Sequence, residues 1–179
     1  MSAAGKYENR APHLISPVEH KNIFNAYIGL GSNINPIQNL VKAVELLEKS
    51  ILIKTISQVW ETTPSGAQGP NFLNAAAQIE TQLTPSLLKS LVLRRVEVEL
   101  GRVRTGNKNA PRTIDLDILV FENDLLDPKV WTHAFVAVPL SELIPQFTNP
   151  ETHETLDEAA LRLSAMTSLK PRPDVSLKL

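Results

Sequence analysis

The chain contains no cysteine. Disulfides, thiolate nucleophiles and cysteine-ligated zinc are therefore excluded, and a reducing, cytoplasmic setting is the expected one. It also lacks a surplus of charge of either sign: 18 Lys and Arg stand against 19 Asp and Glu, a formal net charge of -1. Proteins that grip nucleic acid or anionic lipid through their overall field advertise a basic excess. Neither partner is expected here, and any anion must be met locally. No stretch is long and apolar enough to cross a bilayer, and the opening MSAAGKYENRAPHLISPVEHKNIF lacks the apolar run of a signal peptide. A G-x-x-x-x-G-K-[ST] phosphate loop is missing. The pair Gly29 and Gly31 fails as a dinucleotide fingerprint because Ile34 occupies the third glycine position.

What is present fits one domain. A chain of 179 residues with 42% hydrophobic and 21% charged content supports a single core. Residues 1–22 read as a flexible arm, 23–165 as the domain and 166–179 as a mobile tail. Asn25 to Gly31 predicts a strand, with Asn35 and Pro36 as cap and first residue of a helix whose apolar stripe is Ile37, Leu40, Val41, Val44 and Leu47. ILIKTISQVW (51–60) predicts a second strand, ETTPSGAQGP a loop, and FLNAAAQIETQL a third strand. Thr84 and Pro85 open a second helix that stops at Gly101, and the polar loop GRVRTGNKNAPR leads into a fourth strand. The order is βαββαβ, an α+β, ferredoxin-like arrangement with helices packed on an antiparallel sheet. A short hairpin and helical turn over 122–150 and a last helix near 155–165 follow.

The fourth strand poses the central question. TIDLDILVF (113–121) has the β-branched, apolar character of a buried strand, yet holds Asp115 and Asp117, a residue type depleted in strands. Two apart on a strand, they share one side, about 7 Å between Cα atoms, while Ile114, Leu116 and Ile118 face the core. Like charges so placed repel, and something cationic should sit between them. Hard oxygen ligands at this spacing suit Mg²⁺, which takes one or two carboxylates plus substrate phosphates. Arg112 before the strand and Arg102 and Arg104 in the loop supply fixed positive charge for the same anion. The stretch reads as a nucleoside triphosphate site. Its rival is a surface face laced with salt bridges. In the third strand Phe72 and Asn74 share a face, an aromatic plane beside an amide that can stack a flat heterocycle and read its edge. Thr63 adds a hydroxyl nearby.

Four stretches, YIGLGSN (27–33), ETTPSGAQGPNFLNAA (61–76), ELGRVR (99–104) and above all APRTIDLDIL (110–119), resemble the 6-hydroxymethyl-7,8-dihydropterin pyrophosphokinase family of folate biosynthesis. The resemblance implies transfer of the β,γ-diphosphate of ATP to the pterin hydroxymethyl group, with release of AMP. It implies two Mg²⁺ ions on Asp115 and Asp117, with Arg102 and Arg112 beside them at the reacting phosphates. Glu97, Arg102, Arg104, Arg112 and Ile118 fall at nucleotide positions. Thr63, Ser65, Phe72, Asn74 and Phe135 fall at pterin positions, and stretches 64–70 and 102–111 become lids over the site. ATP and the pterin are the expected partners of a monomeric enzyme.

The chain departs from the family pattern after the fourth strand. DPKVWTHAFVAVPL lacks the Pro-His pair, and His133 stands where an arginine is expected, with Lys129 near enough in sequence to compensate. Asn109 replaces a loop aromatic and Arg94 a neutral polar residue. Other readings predict other behaviour. A catalytically silent homologue binds ligand without turnover, a γ-phosphoryl kinase yields ADP, and an RNA-recognition-like module needs a basic sheet face that the Asp pair opposes.

Overall fold

A computed structural model describes residues 22–63, 69–103 and 110–177. The expected arm lies outside these residues apart from its last position. The sheet is built on β1 (Phe24–Ser32), which alternates buried Ala26, Ile28 and Leu30 with the more open Tyr27, Gly29 and Gly31, the period of a strand between unlike faces. β1 pairs antiparallel with β4 (Phe72–Thr81) on one side and β5 (Asp115–Phe121) on the other. With β2 (Leu52–Ile56), β3 (Trp60–Thr62), β6 (Asp124–Leu125) and β7 (Leu169–Pro171), the sheet runs β6-β5-β1-β4-β3-β7, and β2 also pairs with β4. Every pairing is antiparallel.

One face carries the larger core. α1 (Pro36–Glu48) contributes Leu40, Ala43, Val44 and Leu47 to it. A second helical rod made of α2 (Pro85–Leu87), a π-helical stretch (Leu88–Leu93) and α3 (Arg94–Glu99) adds Leu88, Val92, Leu93 and Val96. The opposite face is covered only in part. There α4 (Ala134–Ser141), apolar nearly all round, lies between the sheet and α5 (Leu156–Ala165) and packs with Ala76, Leu119 and Val120. α5 starts in a capping box between Thr155 and Glu158. Among the described residues no helix is long and apolar enough to cross a membrane.

Local details differ from the sequence reading. Asn35 is left-handed, φ 43°, and its side chain caps nothing; instead Asn39 Nδ2 donates to the Ile34 carbonyl at 2.6 Å. The single strand expected over 51–60 is two, interrupted where Ser57 bonds Ala76 through its backbone N–H and its hydroxyl. The tail expected to be mobile is docked through residue 177. Leu169–Pro171 pairs with β3, and Val175 and Leu177 are buried in the main core. An edge strand needs no N–H from Pro171, and Arg172 holds the segment by salt bridges to Glu61 and Asp174, both 2.7 Å.

Candidate active site

The uncovered part of the second face lies at the β1 end marked by Gly29 and Gly31. Register places Asn74, Gly31 and Asp115 side by side across three strands, and Ala76, Gly29 and Asp117 in the next row. Directly paired residues point to the same side, so the two carboxylates and the amide share one face with a floor lacking side chains between them. At Gly31 that floor is a steric requirement, because a Cβ there would stand 3.2 Å from Asn74 Oδ1.

Two of the cations expected around the carboxylates, Arg102 and Arg112, are in place, while Arg104 lies outside the described residues. Asp115 takes Arg112 at 2.5 Å on one oxygen and Arg102 on the other. Arg102 is in turn held by Glu97, which is 2% exposed. Asp117 takes Lys89, 2.6 Å from Oδ1. Burial pushes the Asp117 carboxyl up, but the Lys89 ammonium, reinforced by Lys129 and Arg102, outweighs it and leaves the group below the usual carboxylate range.

β6 covers only Val120 and Phe121 of β5, so among the described residues the outer edge of β5 beside the carboxylates has no strand partner. The helical rod supplies the missing partners. Glu97 accepts the Leu116 N–H at 3.0 Å, and the Lys89 ammonium donates to the Leu116 carbonyl. An exposed strand edge is thereby satisfied by side chains. In an unbroken α-helix, residues eight apart sit about 80° out of line; the slower winding of the π stretch works against that offset, and Lys89 and Glu97 both reach Leu116.

The heterocycle side joins the phosphate side through Arg112, whose guanidinium lies 5.8 Å from the Phe72 ring centroid. Asn74 is buried and donates from Nδ2 to Thr62 Oγ1 at 3.0 Å. Thr63, one residue past the end of β3, is exposed. Asn33 ties the two loop ends together: its Oδ1 accepts the Arg112 N–H at 2.7 Å and its Nδ2 reaches the Pro70 carbonyl at 3.4 Å. Ser32, fully buried, donates to the Thr113 carbonyl and fixes the entry to β5.

Of the expected site residues, the structure brings together Arg102, Arg112, Asp115, Asp117, Glu97, Phe72 and Asn74. Ile118 packs in the main core. Phe135, in the first turn of α4, packs against the second core and meets the His133 ring edge-on at 5.2 Å. His133 also bonds Thr132 at 2.8 Å, and Arg94 is exposed. Ser65, Arg104, Asn109 and most of both expected lids lie outside the described residues. Lys89, Asn33 and Thr62 were not anticipated. Strand alternation could have flagged Thr62, since Thr63 falls beyond the paired residues. Lys89 had no local signal.

Among the described residues no group of three or more His, Asp and Glu side chains could hold a metal. The Asp pair is an oxygen-only donor set on an open face, which fits a hard cation that completes its shell with water and phosphate oxygens.

Comparison with known proteins bears on this arrangement. The pyrophosphokinase of Bacillus subtilis acting on 2-amino-4-hydroxy-6-hydroxymethyldihydropteridine is 35% identical over 150 residues, 77% of this chain and 89% of that protein. The folic acid synthesis protein FOL1 of Dictyostelium discoideum is 34% identical over 148 residues, 76% of this chain but only 22% of that longer protein. In fold, a crystal structure of Plasmodium falciparum HPPK-DHPS superposes with a TM-score of 0.65 at 14% identity, covering 83% of this chain and 47% of that one. Residues 27–145 match the family described as 7,8-dihydro-6-hydroxymethylpterin-pyrophosphokinase, a span that holds both carboxylates, their cations and the Phe72–Asn74 face, and the chain belongs to that family.

Proposed function

We propose that this protein transfers diphosphate from ATP to the hydroxymethyl group of 6-hydroxymethyl-7,8-dihydropterin, a step of folate biosynthesis, with Mg²⁺ at Asp115 and Asp117. The observation that carries the reading is the row Asn74–Gly31–Asp115. It sets an amide suited to a heterocycle edge beside a carboxylate suited to a metal-bound phosphate, with nothing but glycine between. The pterin hydroxyl oxygen attacks the β-phosphorus, the bond from that phosphorus to the α,β-bridging oxygen breaks, AMP leaves, and the hydroxyl proton passes to solvent. Such transfers depend on positioning and charge neutralisation more than on a strong base.

Each side chain has a part in that positioning. Phe72 stacks the heterocycle and Asn74, oriented by Thr62, reads its edge; Ser65 and Phe135 complete the pterin side. Arg102, Arg104 and Arg112 bind phosphate oxygens. Glu97 keeps Arg102 aimed at the site, and Ile118, buried in the main core, anchors β5 beneath the nucleotide side. Divalent ions, two in number, supply further neutralisation of phosphate charge when bound. Monomers in the cytoplasm suffice for this chemistry. Ion-exchange chromatography of the nucleotide products tests the reading: AMP formed in proportion to pterin consumed supports it, and ADP contradicts it.

A further inference from the structure

We propose that Lys89 is a resident counter-cation that holds Asp117 until a divalent cation displaces it, so that metal entry requires this one side chain to move. The inference rests on the reading of Asp117 as a metal ligand. The two carboxylates are not held alike. Asp115 is gripped by two guanidinium groups, one anchored on buried Glu97 and the other over the Phe72 ring. Among the described residues Asp117 is held by a single ammonium, that of Lys89, whose flexible side chain is 25% exposed. A divalent cation and the ammonium cannot share Asp117 Oδ1 at contact distance without strong like-charge repulsion. The ammonium has somewhere to go. Its second bond, to the Leu116 carbonyl, lets it release the carboxylate while staying at the edge of β5. Lys89 is thus a positioning residue that sets how readily the site accepts its cation.

The test is a Mn²⁺ titration of the full chain without nucleotide, with free ion read by electron paramagnetic resonance. Lys89→Met is expected to bind Mn²⁺ about tenfold more tightly than wild type, the order expected for removing a partly screened unit charge beside the site. Lys89→Arg, which keeps the charge, stays near wild type, and Asp117→Asn loses affinity. Circular dichroism checks that each variant is folded. Should Lys89→Met not fold, Lys89→Gln retains a donor for the Leu116 carbonyl and carries the same expectation. Unchanged or weaker binding in the neutral variant, with Asp117→Asn still impaired, overturns the inference alone. Binding indifferent to Asp117→Asn overturns the metal reading and this inference with it.

Discussion

A carboxylate with almost no exposure is tolerable only when its charge is met, and Glu97 meets that condition with Arg102 and the Leu116 N–H. Removing one partner of such a buried pair typically costs about 3–5 kcal/mol. Glu97→Ala is therefore expected to lower the thermal midpoint by roughly 10 °C, since each kcal/mol moves a domain of this size by about 2–4 °C. A midpoint within a degree or two of wild type would mean that the pair contributes little. Gly31 makes a separate prediction. Gly31→Ala pushes Asn74 by a few tenths of an ångström and is expected to raise the pterin KM about three- to tenfold, roughly 1 kcal/mol of lost binding, with the ATP KM unchanged. Equal rises in both constants would contradict the division of the site. Much of this was legible beforehand: Asp115, Asp117, Arg102, Arg112, Phe72 and Asn74 stand on alternating strands or at loop ends, where spacing alone fixes the face. Lys89 was not, because its role depends on β5 lying at an open edge, and edges are set by the whole sheet.

The rod from Pro85 to Glu99 shows how an element can be right in kind and still hide its function. Apolar spacing announced a helix there. It could not announce the π winding, across which Lys89 and Glu97 both reach Leu116 on β5. Leu91 lies within the π stretch with 57% exposure, so its deletion removes little core. With α winding restored, Lys89 and Glu97 stand seven residues apart, about 20° from two full turns, so both still face Leu116. Deletion of Leu91 is accordingly expected to keep helical circular dichroism and to leave the thermal midpoint within about 2–4 °C of wild type, the shift that roughly 1 kcal/mol produces in a domain of this size. A fall of about 10 °C or more would contradict this alignment. The tail is the converse case. KPRPDV reads as mobile because proline and charge dominate it, yet Arg172 finds Glu61 111 residues away, a contact no local pattern contains.

Across the molecule, the order of strands and helices through β5 was legible because two apolar periodicities alternate cleanly through that part of the chain, whereas the cover that α4 and α5 give the second face was not, because it depends on how a nearly all-apolar helix docks. Charge adds a pH dependence. Glu61 is held below its usual range by Asn71 and Arg172, Glu154 and Asp174 by their arginines, and Glu158 by the Thr155 backbone and hydroxyl. The unfolded chain binds protons more readily at each, so stability is full above about pH 4.5, the ordinary carboxylate range, and falls as pH drops through the depressed folded values. These groups are well exposed, so each contributes little and salt should weaken the effect. Urea midpoints measured from pH 6 to pH 3 are expected to decline below pH 4.5, and a flat or rising series would contradict the assignment.

The most direct measurement is phosphorus NMR of the protein with Mg-ATP and 6-hydroxymethyl-7,8-dihydropterin, repeated with Asp115→Ala and Asp117→Ala. The account predicts AMP and a pterin diphosphate appearing together in the wild type, with turnover reduced by at least about a thousandfold in each variant, the loss of roughly 4 kcal/mol of transition-state stabilisation. ADP as the product, or wild-type turnover in either variant, would contradict it.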